Sequence, residues 1–121
     1  MDDSLLNRLG GTEKLWERIK QYAAKGGREA TRMMLELYYV LKSPDTSLGN
    51  KTLIVAALGY QLLPTDLLPT STLGIFGLLD NAAALAFAYK KVKSLVTPEI
   101  RWQVNNVLEQ WFGPEVEIIE S

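Results

Sequence analysis

The sequence predicts an all-α fold: about five helices packed as a small helical bundle around a central apolar helical hairpin. Three observations predict it. Glycine and proline punctuate the chain near residues 26, 43–49, 64–73, 97 and 113. Between those breaks apolar residues recur at spacings of three and four rather than alternating. Residues 52–89 hold only two charges, Asp66 and Asp80. At 121 residues the chain is expected to form one domain over 1–121, with flexible ends at 1–11 and 114–121.

The first helix follows Thr12, with Leu15, Ile19, Tyr22 and Ala23 on one face, and Gly26-Gly27 ends or kinks it. The second puts Ala30, Met34, Leu37 and Leu41 on a stripe that Met33 and Val40 widen, until Ser43-Pro44-Asp45 stops it. From Lys14 to Lys51 there are eight Lys/Arg against four Asp/Glu, so these two amphipathic helices are basic. A solvated helix face accounts for that charge, and so does a surface that meets anionic lipid.

The third helix, TLIVAALGYQLL, is expected to be opened by Asn50 and closed by Pro64. The fourth runs from Asp80 through AAALAFAYKKVKSL and is apolar on nearly every side for two turns, which predicts burial all round, in protein or in lipid. Asp80 stands before it, and Lys90, Lys91 and Lys93 lie in its last turns, so the charges complement the helix dipole at both ends. Asp66, between Pro64 and Leu67-Leu68-Pro69, reads as a second cap. Thr97-Pro98-Glu99 starts the fifth helix, Ile100, Val104, Val107, Leu108 and Trp111 form its apolar stripe, and Gly113-Pro114 ends it. The tail EVEIIES is left loose or as a short extended segment.

The composition excludes much chemistry. There is no cysteine and no histidine. Disulfides, thiolate nucleophiles, Ser-His and Cys-His arrangements and the commonest metal ligands are thereby absent. No cofactor, metal site or catalytic residue is expected, because two carboxylates make too thin a set for a divalent cation. A nucleic-acid module is also unexpected at a net charge of −1 with no recognised motif. The opening MDDSLLNRLGG is acidic and lacks the pattern of a secretory signal, so export by that route is not expected.

The stretch GYQLLPTDLLPTSTLGIFGLLDNAAALAFAYKKVK resembles the core of the YkvA-like family, a small bacterial and archaeal domain of unknown function. Tyr60, Pro64, Asp66, Leu67, Pro69, Gly77 and Asp80 carry the resemblance, with the core at about 50–95 and the wider likeness over roughly 14–112. Many members carry acids where this chain has Thr70 and Asn81. The resemblance implies a fold and a frequent membrane-protein label, with no established activity.

Two functional readings result. In the first, a non-enzymatic structural or interaction protein meets membrane lipid or a membrane-protein partner at the cytoplasmic face of the cell membrane. The 52–89 hairpin enters the bilayer, and Lys51 at one foot with Lys90, Lys91 and Lys93 at the other contacts anionic lipid. The uncharged runs of 14, 13 and nine residues are too short for full crossing. In the second, the amphipathic helices wrap the hairpin in a soluble bundle, and a second copy covers whatever they leave open.

Overall fold

The computed structural model describes residues 11–64, 68, 76 and 79–114 of the protein. Among them there is no strand, and four α-helices form the framework: α1 (Gly11–Lys42), α2 (Leu48–Leu62), α3 (Asn81–Val92) and α4 (Pro98–Phe112), with a 3-10 turn at Lys93–Leu95 between the last two. Four rather than about five helices result because the first two expected helices run together as α1. The expected break survives inside it. Gly27 has φ 82° and ψ 173°, a conformation open essentially to glycine alone.

That residue reverses the chain. A straight helix would hold Trp16 and Tyr38 about 33 Å apart, at 1.5 Å for each of the intervening residues. Their ring centroids instead lie 5.3 Å apart, and the Tyr38 hydroxyl donates to the Thr12 carbonyl at 3.4 Å. Residues 11–26 and 28–42 are therefore two antiparallel arms. Leu15, Ile19 and Ala23 of the first and Met34, Leu37, Val40 and Leu41 of the second are buried, as their spacing predicts. Arg28, just past the reversal, donates to the Gly113 carbonyl at 3.2 Å, so a cation meets the negative end of α4 and ties it to α1.

The loop after α1 is closed by Thr46, whose hydroxyl donates to the Val40 carbonyl at 2.6 Å. α2 is capped by Ser47, which accepts from the Asn50 amide at 3.2 Å, and not by Asn50. The helix therefore starts earlier than expected. Its residues Ile54–Gly59 are buried on every side, and it packs on both α1 and α3. α3 is capped by Asp80, whose carboxylate accepts from the Ala83 amide at 2.7 Å. α4 has the cap the sequence indicates: Thr97 accepts from the Ile100 amide at 3.1 Å, Pro98 opens the helix, and Gly113 at φ 82° closes it. Its stripe of Val104, Val107 and Leu108 is buried against α1.

Candidate functional site

α3 is where the structure departs most from the expectation of burial on all sides. Ala84, Leu85, Ala88 and Val92 are buried, but Ala82, Ala86, Phe87, Lys90 and Lys91 face solvent. The helical repeat explains the division. Ala82, Ala86 and Lys90 form one row at four-residue spacing, and Ala83, Phe87 and Lys91 form the next. The outward face is thus apolar over its first two turns and cationic over its last. Phe87 is 44% exposed, and its ring packs edge-on against the buried Phe76 ring at 6.4 Å. The Lys91 ammonium stands 5.6 Å from the Phe87 ring centroid, joining the two halves of the face.

The other sequence-predicted lysine belongs to the same end. The Tyr60 hydroxyl donates to the Leu79 carbonyl at 2.7 Å, and the Asn81 side chain donates to the Tyr60 carbonyl at 3.2 Å. The C-terminus of α2 is thereby tied to the N-terminus of α3. Lys51 lies nine residues before Tyr60 and Lys90 nine residues after Asn81, so each stands about 14 Å from the tie along two packed, antiparallel helices. Lys51, Lys90, Lys91 and Lys93 therefore stand toward the same end of the α2–α3 pair, and Leu48 and Leu95, near them in sequence, are exposed. Among the described residues none of the four has an ion pair.

Of the motif residues, Tyr60 bonds the two neighbours of Asp80 in the helix tie, Asp80 itself caps α3, and Pro64 is exposed just after the α2 cap. Asp66, Leu67, Pro69 and Gly77 lie outside the described residues, as does the capping role expected of Asp66.

Behind the α3 face lies a polar cluster that the sequence pattern did not single out. Glu36 is 2% exposed in the second arm of α1. It forms an ion pair with Arg32 one turn earlier and accepts from the Tyr89 hydroxyl of α3, at 3.3 Å to each carboxylate oxygen. Arg32 also donates to Tyr89 at 3.2 Å, lies 5.5 Å from its ring centroid and pairs with Glu29. The hydrogen bond from Arg32 holds the Glu29 carboxyl below its ordinary value against an opposing effect of burial. The same bond raises the Arg32 guanidinium further above its own. Arg101, Val104 and Asn105 of α4 complete a cavity of about 120 Å³ over this cluster. A buried carboxylate is tolerated where its oxygens are paired and hydrogen-bonded, as here. The one signal in the sequence was a glutamate inside an apolar run, with an arginine four residues before it. Among the described residues no group of three potential metal ligands occurs.

The fold and the exposed face define a small all-α bundle in which α3 carries an outward face that is apolar and then cationic. Residues 50–87, most of α2 and the first half of α3, match a family model described as a protein of unknown function (DUF1232). No curated protein and no solved structure matches the chain.

Proposed function

We propose that the protein is a non-enzymatic interaction protein that rests on the anionic, cytoplasmic face of the cell membrane through the outward face of α3. The observation that carries this reading is the exposed face on which Ala82, Ala86 and Phe87 lead directly into Lys90 and Lys91 on the solvent side of one helix. Apolar side chains enter the acyl boundary while lysines without an ion pair among the described residues meet lipid phosphates, the arrangement of an interfacial amphipathic helix. Lys51, Lys93, Leu48 and Leu95 extend the footprint. The resemblance of residues 59–93 to the YkvA-like pattern supports the same reading, with a bacterial or archaeal setting. The absence of cysteine and histidine from the sequence supports a role without catalysis.

Contact is peripheral. No described helix is long and apolar enough to cross a membrane. We place the contact on α3 rather than on a hairpin entering the bilayer, because residues Ile54–Gly59 of α2 are already buried in protein.

The test is sedimentation with vesicles containing or lacking phosphatidylglycerol, at low and high salt. We expect binding that needs the anionic lipid and weakens with salt. The Lys90→Glu/Lys91→Glu protein should bind about an order of magnitude or more less tightly, at about 1 kcal/mol per lysine near such a surface. Binding unchanged by that substitution would refute the reading. A monodisperse dimer dispersed by Phe87→Lys, with no vesicle binding, would assign the face to a second copy instead.

A further inference from the structure

A second surface, on the two arms of α1, has a different chemistry. Trp16 of the first arm meets Tyr38 and Tyr39 of the second at centroid distances of 5.3 and 6.2 Å, and the two tyrosines lie 5.6 Å apart. The rings are inclined at 56° to 87°, and Trp16 also meets Trp111 of α4 at 5.3 Å; Trp16 and Tyr39 stay half-buried, while Tyr38 is buried with the Lys42 arm over its ring. These three rings, with Glu13, Glu17 and Lys42, line an open cavity of about 410 Å³. Glu13 and Glu17 are one turn apart on the exposed side of the helix, and neither has an ion pair with a described residue.

One cation is already drawn to this corner. The Lys42 ammonium stands 5.4 Å from the Tyr38 ring centroid, within the range of a cation–π contact. We propose that this cavity is a binding site for a quaternary ammonium ion, its methyl groups lying on Trp16, Tyr38 and Tyr39 and its charge balanced by Glu13 and Glu17. A quaternary ammonium suits the site better than a primary one. It cannot donate hydrogen bonds, sheds water more readily, and presents a large apolar surface to the rings. The Lys42 arm competes for the same ring face and must swing away when the ion enters.

The probe is choline, titrated into the full chain while the Trp16 indole and the Tyr38 and Tyr39 ring protons are followed by NMR. Its neutral isostere, 3,3-dimethylbutan-1-ol, is titrated alongside. We expect saturable shifts with choline and binding weaker by about two- to fivefold or more with the alcohol, as the loss of cation–π contacts requires. Tyr39→Leu and Glu17→Gln should each weaken choline binding, while Lys42→Ala should strengthen it by removing the internal competitor. Far-UV circular dichroism verifies that each variant is folded. Shifts that do not saturate, equal affinity for the alcohol, or weaker binding in Lys42→Ala would each overturn the proposal. Phosphatidylcholine vesicles identify the source: shifts there that free choline competes away assign the ion to a lipid headgroup, and their absence with choline still bound assigns it to a soluble ion. Lys90→Glu/Lys91→Glu leaves this titration unchanged, so the α3 face and the aromatic cavity stand or fall separately.

Discussion

The hydroxyl of Tyr89 on α3 reaches across 53 positions of sequence to the carboxylate of Glu36, which α1 holds almost wholly out of water. Three of the four helices thus converge on one acid, since α4 closes the cavity above it. Tyr89→Phe should cost about 1 kcal/mol, the net value of one hydrogen bond, because Arg32 still pairs with Glu36. Arg32→Met should cost more, about 2–3 kcal/mol. It stays below the value for a fully buried pair because 30% of the Arg32 side chain meets solvent. Urea unfolding of the two single variants and the double variant measures both, and additivity would show that Tyr89 and Arg32 do not act on Glu36 together.

Gly27→Ala should destabilise by about 1–3 kcal/mol, although a Cβ there meets nothing within 4 Å, because the cost is backbone strain at φ 82°. Gly26→Ala acts by another route. Its Cβ would fall 2.0 Å from the Tyr22 ring, so the ring must swing and lose the hydrogen bond that Gln61 donates to the Tyr22 hydroxyl. Thermal unfolding separates them when Tyr22→Leu is added, which should rescue Gly26→Ala and leave Gly27→Ala unrelieved.

Asp80→Asn should unfold with nearly the wild-type midpoint, since asparagine accepts the same amide, whereas Asp80→Ala should lose about 0.5–2 kcal/mol. Thr97→Ala should lose a similar amount at α4. Chemical denaturation reads all three, and an asparagine variant as weak as the alanine one would show that the charge of Asp80, not its hydrogen bond, matters.

Burial, and then the neighbouring Tyr38, raise the Tyr39 phenol above its ordinary value. A raised acid holds its proton longer in the folded chain than in the unfolded one. Its contribution is therefore complete below the ordinary tyrosine range, near pH 10, and fades as pH rises through the higher folded value. The melting temperature should fall more steeply above about pH 10 in the wild type than in Tyr39→Phe. Glu29 runs the other way. Its lowered value means that its pairing with Arg32 is lost as pH falls below the ordinary carboxylate range, a small effect at so exposed a site.

α4 was legible in full, because Thr97, Pro98 and Gly113 are each a local instruction and the stripe between them has a single period. The break in α1 was legible as well, but its angle was not. Gly26-Gly27 announces an interruption, while reversal depends on Trp16 finding Tyr38 and Tyr39. Ser47 was missed as the α2 cap because Leu48 and Gly49 follow it, and the apolar run that drew the boundary starts later. Burial of α3 was overestimated for a plainer reason: an alanine-rich helix tells nothing of which side its neighbours cover. Glu36 was out of reach because its partner on α3 is distant in sequence and only the fold brings it near. As for the candidate lysines, their sequence positions placed them at two feet of a hairpin, and the Tyr60–Leu79 and Asn81–Tyr60 bonds bring those feet level.

The reversal at Gly27 also sets an order of assembly. Trp16 and Tyr38 are close in sequence, so their encounter closes a short loop, which is entropically cheap and fast. The bond from Arg28 to Gly113 spans 85 positions and can form only when α4 has docked. The paired arms of α1 are thus expected to form early, and their tie to α4 only after that helix has docked. Native-state hydrogen exchange should find the α4 amides opening at a lower free energy than those of residues 28–42.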